Sequence, residues 1–253
     1  IRQGDLLRLE ANASDLEDGA LSGAALEWSS SIDGDLGTSE TLYTNALSSG
    51  IHTISLTARD GDGMEGRDEV TVYVGVPAPA SISIPLAAGW NMISLPVVPD
   101  DMSAAAVFAP IDGDVAIAYA LDSFAGGTWP RYIPGHPELS SLQTVDPSMG
   151  LYVLATKETT LEVSGLILGL TTVSLAQGWN LVGFPAASSH PVELWLHSLL
   201  DRVEIVYSLE DDGGWRHYVP DAPEFSNLAK VEPGRGYLVR ANQVTHFVVD
   251  YGR

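Results

Sequence analysis

The feature that most constrains the fold of this chain is an internal repeat in its longer, C-terminal part. Residues 86–93 (LAAGWNMI) return as residues 175–182 (LAQGWNLV). Later matches follow in the same order: Tyr119 with Tyr207, Trp129 with Trp215, and Gly150 with Gly236. Copies of one sequence are expected to fold alike and to bury their apolar faces against each other. The repeats are therefore predicted at residues 81–170 and 171–253, packed as one domain about a pseudo-twofold axis.

Alternation of polar and apolar residues predicts strands around each Gly-Trp-Asn triplet. The runs on either side of the two triplets are residues 81–84 and 92–95, and residues 172–175 and 181–184. Since glycine supplies the positive φ of a tight turn, each pair of runs is predicted to form a hairpin. A short helix is predicted next in each copy, at 102–109 and 191–200. Each repeat is therefore expected to be β-rich with one helix, an α+β arrangement.

The part before the repeats is predicted to be a separate, all-β domain over residues 1–76. Its strands are predicted at residues 6–10, 25–29, 41–45, 52–59 and 69–74. Short strands at this spacing are typical of a β-sandwich. The sequence Pro-Ala-Pro-Ala at 77–80 is predicted to form a stiff, extended linker between the two domains. The fold class predicted for the whole chain is mainly β.

The charge of the chain excludes several classes of partner. With 12 basic and 33 acidic residues the net charge is −21. Such a surface repels nucleic acid and anionic membranes, and it attracts hard cations such as calcium. No run of about 18 apolar residues is present, so no membrane insertion is expected. The absence of cysteine excludes disulfide scaffolds and thiolate metal sites. Because the chain begins at Ile1 without a signal peptide, it is interpreted as a piece of a larger modular protein.

Three stretches of the first domain carry a resemblance to a known family. They are residues 13–19 (ASDLEDG), 26–34 (LEWSSSIDG) and 49–63 (SGIHTISLTARDGDG). The domain resembles bacterial Ig-like sandwiches of the polycystic-kidney-disease (PKD) and cadherin-like type, with the family's first strand missing. The resemblance implies an Ig-like β-sandwich, and calcium ligands at the positions Asp15, Glu17, Asp18, Asp60 and Asp62. An open sandwich edge would also invite strand addition from a neighbouring chain or domain.

The repeat pair is similar to the "GWN" repeats of large secreted or surface-anchored proteins of bacteria and archaea. There the repeats stand beside Ig-like domains. The resemblance implies an extracellular or cell-surface location, and it implies no particular activity. The expected partners are neighbouring domains, copies of the same protein, or surface polysaccharide.

The acidic loops have a physical case for calcium and an equally plain alternative. Calcium prefers six to eight oxygen ligands, and loops at one end of a sandwich can bring carboxylates together. A cation there would relieve their repulsion and stiffen that end of the domain. The alternative is that Asp and Gly are ordinary turn residues exposed to water.

Aromatic residues form the second candidate site. Binding of sugars needs exposed aromatic faces beside hydrogen-bonding groups, and Trp129, Tyr132, Trp215 and Tyr218 are the candidates. The alternative is that these rings fill the core. Trp90 and Trp179, at equivalent positions of the repeat, are predicted to lie in the core.

No catalytic constellation is found in the sequence. The histidines show no metal-ligand spacing, and no nucleophile elbow or phosphate-binding loop is present. Glu138 and Glu224 are the best candidates for a glycosidase pair, but a turn position explains them as well. The chain is interpreted as a non-catalytic extracellular or cell-surface structural or adhesion segment, stabilised by calcium. The alternative is a carbohydrate-binding accessory module of a secreted polysaccharide-degrading enzyme.

Overall fold

The computed structural model describes residues 1–167 and 170–250. As predicted, the chain is mainly β, and its sheets contain antiparallel strand pairs. It divides into two compact units, Ile1–Ala78 and Pro79–Arg253. None of the helices within the described residues has the length and apolar character needed to cross a membrane.

The first unit contains one four-stranded and two smaller sheets. Its strands are β1 (Leu7–Glu10), β2 (Ser14–Asp15), β3 (Gly19–Ala20), β4 (Leu26–Ser30), β5 (Gly34–Gly37), β6 (Thr41–Thr44), β7 (Gly50–Arg59) and β8 (Glu65–Val74). The large sheet has the order β5-β4-β7-β8, while β1 pairs with β6 and β2 pairs with β3. Leu9, Trp28 and Ile54 lie in the core of this unit. The Trp28 indole N–H is satisfied by the carbonyl of Ser39 at 2.9 Å.

The second unit begins with a strand where a linker was predicted. Its strands are β9 (Ala78–Leu86), β10 (Gly89–Ser94), β11 (Val115–Tyr119), β12 (Arg131–Tyr132), β13 (Gly150–Ala155), β14 (Thr159–Ile167), β15 (Leu170–Leu175), β16 (Gly178–Gly183), β17 (His190–Pro191), β18 (Val203–Leu209), β19 (Trp215–Tyr218), β20 (Lys230–Val231), β21 (Gly236–Ala241) and β22 (Thr245–Asp250). Residues 78–80 thus belong to β9 rather than to a linker. Proline is tolerated there because β9 pairs with β14 alone and is an edge strand.

The two halves of the second unit contain sheets of the same strand order. The sheet of the first half is β10-β13-β11-β12, and the sheet of the second half is β16-β21-β18-β19. Strands β11 and β18 occupy the same place in the two sheets. Each has a register shift at its start, at Val115/Ile117 in β11 and at Val203/Ile205 in β18.

The predicted hairpins at the Gly-Trp-Asn triplets are wrong. Strand β9 pairs with β14 and β10 pairs with β13, while β15 pairs with β22 and β16 pairs with β21. The triplet therefore forms a corner at which the chain passes from one sheet to another. Gly89 and Gly178 occupy the corners with φ values of 106° and 97°, which favour glycine.

The helices are shorter than predicted. Helix α1 covers Ala104–Phe108, and the Ser103 hydroxyl accepts a hydrogen bond from the Ala106 N–H at 3.2 Å, so Ser103 is its N-cap. Helix α2 covers only Val192–Trp195 and starts after Pro191. The apolar sequence at residues 165–170 favours a connector buried between the two repeats, but Leu166 within it is 40% exposed. Residues 168 and 169 of that stretch lie outside the described residues.

Each half has its own core, and a third cluster lies between the two sheets. In the first half, Ile93, Phe108 and Val153 belong to a core formed by one face of the sheet, α1, β9 and β14. A matching core in the second half contains Val182, Trp195 and Val239. The third cluster is composed of Met92, Leu181 and Leu209 with the partly buried Leu121, Tyr152 and Leu238. Its members come from the opposite faces of both sheets, so the sheets pack face to face.

Two backbone bridges fix this contact between the halves. Ile93 pairs with Arg235, and Val182 pairs with Met149. In each bridge, a residue of the strand at one corner, β10 or β16, pairs with the residue just before a strand of the other half, β21 or β13. Exchanging the halves converts one bridge into the other, so the contact is approximately twofold symmetric.

Candidate functional site

The corner asparagines hold the tryptophans in place. The Asn91 carboxamide accepts a bond from the Ala87 N–H at 2.9 Å and donates to the carbonyls of Ala87 and Gly89. Asn180 makes the same three bonds to Ala176 and Gly178. Because the asparagine points toward the backbone of the corner, the preceding tryptophan points to the opposite face of the sheet. This is the face that packs against the other sheet, so both tryptophans lie beside that contact.

In the first half, the exposed aromatic group comprises Trp90, Tyr119 and Tyr152, and we call it the Trp90 patch. Trp90 is 41% exposed. Its ring stacks on Tyr152 with centroids 4.5 Å apart and planes 6° apart, and Tyr119 lies at 6.3 Å. Partial burial raises the pKa of the Tyr152 hydroxyl. One face of Trp90 is thus covered by Tyr152, and part of the indole remains accessible.

In the second half, the corresponding group is larger. It comprises Trp179, Tyr207, Trp215, His217 and Arg240, and we call it the Trp179 patch. Register places all five side chains on one face of the sheet. Trp179 is 43% and Trp215 45% exposed.

The rings of the Trp179 patch are held by contacts with one another. The Arg240 guanidinium lies 5.9 Å from the Trp179 ring centroid, which is within the range of a cation–π contact, and it also pairs with Glu204 at 3.1 Å. Tyr207 meets Trp215 edge-on at 6.1 Å. The patch therefore combines aromatic faces with hydrogen-bonding groups of arginine and histidine.

The structure separates the four predicted ligand-binding aromatics into two groups. Trp129 is 49% exposed and Trp215 is 45% exposed, whereas Tyr132 and Tyr218 are buried. The Tyr132 hydroxyl donates to Asp112 at 2.8 Å, and its ring stacks on Phe108. Tyr132 and Tyr218 therefore belong to the cores, because they point to the face of the sheet opposite the patches.

The prediction that Trp90 and Trp179 fill the core is wrong. Equivalent positions in the two repeats favour the core for these rings, and a run of residues buried on both faces follows each of them. The tryptophans lie where the strand leaves the sheet-to-sheet contact, so one edge of each indole is exposed. Alternation assigns Trp90 to the face of Met92 and not to that of Ile93, which is the face between the two sheets and not that of the first-half core.

The acidic loops of the first unit approach each other. The Gly61 N–H donates to the Asp18 carboxylate at 2.6 Å, which joins the loop of Asp15, Glu17 and Asp18 to the loop of Asp60 and Asp62. Within each loop the carboxylates accept backbone bonds. Asp15 accepts from Asp18 and Glu17, which lowers the pKa of its carboxyl group.

Asp60 has the same turn-closing role in the second acidic loop. Its Oδ1 atom accepts from the N–H groups of Asp62 and Met64 at 3.0 and 2.7 Å. Across the described residues, no group of three carboxylate or histidine side chains is placed to hold one metal ion. As placed, the five predicted ligands serve as turn residues, so calcium stays a prediction.

The glutamates considered for a glycosidase pair lie in short turns. Glu138 belongs to the 3-10 turn Pro137–Leu139 and interacts with the His136 ring at 3.2 Å. Glu224 belongs to the equivalent turn Pro223–Phe225. Both positions follow a proline at the start of a turn, as expected for a local structural role.

The comparisons with known proteins return nothing: no family model, no curated protein and no solved structure matches this chain.

Proposed function

We propose that this chain is a non-catalytic structural and adhesion segment of the extracellular space or the cell surface. The observation that carries the proposal is the pair of aromatic patches at equivalent places on the two halves of the second unit. Three tryptophans of these patches, Trp90, Trp179 and Trp215, are 41–45% exposed in a protein whose net charge is −21. Large exposed apolar side chains beside one another mark contact surfaces. The extracellular setting is supported by the resemblance of the two domains to modules of surface proteins.

Two patches on one rigid unit support adhesion in particular. Each is anchored by the same corner, with the Asn91 or Asn180 carboxamide holding the backbone. Rigid aromatic side chains lose little entropy when they are covered, so they are efficient contact residues. A module with two such sites can engage two partners, or one extended partner twice.

The second candidate is a carbohydrate-binding accessory module, and the Trp179 patch favours it. Sugar rings pack their C–H faces on aromatic rings while their hydroxyls bond to polar neighbours. Trp179 and Trp215 offer the rings, and Arg240 offers donors, whereas the Nε2 atom of His217 is already bonded to the Phe225 carbonyl at 2.9 Å. However, Trp179 and Tyr207 are tilted by 38° and Tyr207 and Trp215 by 88°, so the three rings do not form a flat platform. This geometry suits a curved or branched chain better than a flat crystalline surface.

The experiment compares the full chain with Trp90→Ala, Trp179→Ala and Trp215→Ala. Tyr43→Ala is the matched control, because Tyr43 is 57% exposed but lies on the first unit. All variants must keep the circular dichroism of the parent. One arm measures self-association by sedimentation velocity at physiological salt, where the repulsion between acidic chains is screened. The other arm measures retention on cellulose, xylan, chitin and peptidoglycan.

Adhesion between copies predicts self-association that the tryptophan variants weaken and Tyr43→Ala does not. Retention on a polysaccharide that the same variants abolish would move the assignment to the carbohydrate-binding module. If neither arm responds to the tryptophan variants, the patches are not contact surfaces and the proposal fails. Release of soluble sugar from any of the polysaccharides would overturn the non-catalytic assignment.

A further inference from the structure

The two halves of the second unit leave a cleft beside each of the backbone bridges that join them. Ile93 and Arg235 line one cleft, of about 270 Å³, which we call the Arg235 cleft. Met149 and Val182 line the other, of about 490 Å³, which we call the Met149 cleft. Since exchanging the halves converts one bridge into the other, the two clefts occupy equivalent places of the repeat.

The Arg235 cleft is occupied by interactions within the chain. The Arg235 guanidinium bonds to the Asp211 carboxylate at 3.0 Å and to the Glu232 carboxylate at 3.1 Å. It also donates to the Leu209 carbonyl at 3.2 Å. Only 23% of the arginine side chain is exposed. These residues satisfy one another, so this cleft has a local structural role.

The Met149 cleft has the opposite character. Met149 takes the place of Arg235, and Ser174 takes the place of Pro85. In a chain with a net charge of −21, Asp122 is the one charged side chain among the described residues that line this cleft. Six hydroxyl side chains line it: Ser123, Ser141, Thr144, Ser148, Thr172 and Ser174.

Several of these hydroxyls are available to a ligand. The side chains of Thr144, Thr172 and Ser174 bond to no other residue in the part of the chain that the structure describes. The Ser141 oxygen accepts from the Arg131 N–H at 3.1 Å, which leaves its own proton to be donated. Because a hydroxyl both donates and accepts, the cleft offers both kinds of hydrogen bond without a charge.

The walls of the Met149 cleft are fixed by bonds to the strand at the second corner. The Ser123 hydroxyl donates to the Trp179 carbonyl at 2.8 Å, and the Ser148 carbonyl accepts from the Gly183 N–H at 2.8 Å. Strand β15, which carries two of the free hydroxyls, is paired along its length with β22. A ligand therefore meets a surface that is already formed, which lowers the cost of binding.

An aromatic ring borders the cleft on the side of the first half. Phe124 is 61% exposed and lines the cleft together with Pro130 and Met149. It lies in a loop of seven residues, 122–128, whose equivalent in the second half, 210–214, has five residues and no aromatic ring. The longer loop thus adds an apolar face beside the hydroxyls.

This lining selects among classes of ligand. No lysine, arginine or histidine is among the described residues of the cleft, so a phosphate or carboxylate ligand would find no cation there. One carboxylate is too few for a calcium ion, which takes six to eight oxygen ligands. Hydroxyls beside an exposed ring fit a molecule with many hydroxyls and apolar C–H faces.

We infer that the Met149 cleft binds a neutral saccharide, with one or two sugar rings in the cleft. The sugar hydroxyls bond to Thr144, Thr172 and Ser174, and one C–H face packs on Phe124. The volume lies within the range of about 300–1,000 Å³ that is usual for small-molecule clefts. The described residues that line the cleft do not include the rings of the Trp179 patch, so this site is separate from the contact surfaces proposed above.

The test titrates the full chain with cellobiose, xylobiose, mannobiose and chitobiose, and with digalacturonic acid as the anionic probe. Binding is measured by calorimetry and by amide chemical shifts. The key variants are Phe124→Ala and the double variant Thr172→Val with Ser174→Ala. Ser83→Ala is the matched control, since Ser83 is the equivalent of Thr172 in the Arg235 cleft. Trp215→Ala removes a ring of the Trp179 patch. All five positions are exposed, so the variants should keep the circular dichroism of the parent.

We expect at least one neutral disaccharide to bind at millimolar concentration and to shift the amides of β15 and of residues 141–144. The double variant should weaken binding by about tenfold or more, because two hydrogen bonds to the ligand are lost. Phe124→Ala should weaken it several-fold, while Ser83→Ala and Trp215→Ala should change it little.

Three outcomes would overturn the inference. The first is that none of the four neutral disaccharides binds at millimolar concentration. The second is that digalacturonic acid binds as tightly as the neutral sugars, which would refute the neutral ligand. The third is that Trp215→Ala abolishes binding and the double variant does not. That result would place the sugar on the Trp179 patch and support the carbohydrate-binding module without this cleft.

Discussion

Ser94 and Gly183 face each other where the two sheets of the second unit meet. They occupy equivalent positions of the two Gly-Trp-Asn strands, yet only one of them has a side chain. A Cβ on Gly183 would lie 2.9 Å from the Ser94 Cβ and 2.2 Å from the carbonyl oxygen of Pro147. The Ser94 hydroxyl uses the vacant space to donate to the Arg235 carbonyl at 2.7 Å. The symmetric contact therefore has room for one side chain at its centre.

We expect Gly183→Ala to destabilise the second unit by about 1–3 kcal/mol or more, because backbone atoms must shift to admit the methyl group. Chemical unfolding followed by tryptophan fluorescence measures the change. Gly113→Ala is the control, since a Cβ there meets nothing within 4 Å. Equal stability of the two variants would mean that the sheets do not meet as described.

The corner asparagines give a second expectation. Asn180 is buried, and its amide donates to the carbonyls of Ala176 and Gly178 at 2.9 and 3.0 Å. Asn180→Asp keeps the shape but replaces the donor with a charged oxygen that faces those carbonyls. We expect a loss of about 1–3 kcal/mol at neutral pH, the cost of leaving buried polar groups unpaired.

Acidification separates this electrostatic effect from a change of shape. Protonation of the introduced carboxyl group restores one donor, so the deficit of Asn180→Asp relative to the parent should shrink toward pH 4. A deficit that is independent of pH would argue that the amide does not make these bonds. Urea unfolding of both proteins at several pH values provides the comparison.

The fold class and the bounds of several strands can be predicted from the pattern of apolar residues in the sequence. Apolar runs bounded by a glycine or a loop predict strands at residues 150–155 and 203–209, and strands Gly150–Ala155 and Val203–Leu209 have these bounds. The pairing of β10 with β13 was not predictable in the same way. It depends on the asparagine that bonds back to the corner, and this bond turns an apparent hairpin into a passage between sheets.

The candidate site was located only in part from the sequence. Trp129 and Trp215 are exposed as a binding role requires, but Tyr132 and Tyr218 are not. A residue near a loop can point to either face of its sheet, and the pairing register decides which face it is. In strands of two to four residues, the alternation of polar and apolar residues is too short to predict that register. The strand Arg131–Tyr132 illustrates this limit, since the sequence predicts a strand over residues 128–133 and only two of these residues pair.

Tyr132→Phe tests the assignment of Tyr132 to the core. Burial and the bond to Asp112 raise the pKa of the hydroxyl from 10.0 to about 12. Since the folded-state pKa is the higher one, this stabilisation is present below pH 10 and is lost as the pH rises toward 12. We expect the variant to cost about 0.5–1.5 kcal/mol at pH 7 and to lose less stability in the alkaline range. Binding to any partner of the patches should not change, and a selective loss of binding would return Tyr132 to the site.

The Asp114 carboxylate provides a prediction at acidic pH. The Lys157 ammonium at 2.7 Å and the Thr159 hydroxyl at 2.8 Å hold the pKa of this carboxyl group below 3.8. A lowered folded-state pKa stabilises the fold above the ordinary pKa, and this contribution disappears as the pH falls through the lowered value. Asp114→Asn should therefore be less stable than the parent at pH 7, and the two should converge below pH 3.8. A difference in stability that persists at pH 2 would point to a structural effect of the amide instead.

The last prediction concerns calcium binding by the first unit and the arrangement of carboxylates that it requires. The Asp18 carboxylate already bonds to Gly61, so the two acidic loops are in contact, but a calcium ion needs carboxylate oxygens of both loops around one point. If the loops close around the ion, calcium at about 100 times its dissociation constant stabilises the unit by about 2.7 kcal/mol.

We expect the thermal unfolding midpoint of the first unit to rise in millimolar calcium relative to chelator. Asp18→Asn should abolish that rise, whereas Asp35→Asn should keep it, because Asp35 lies outside both acidic loops and accepts from the Gly37 N–H of its own turn. An unfolding midpoint that is equal in calcium and in chelator would leave the five acidic residues as turn residues and refute the expectation of a calcium-stabilised domain.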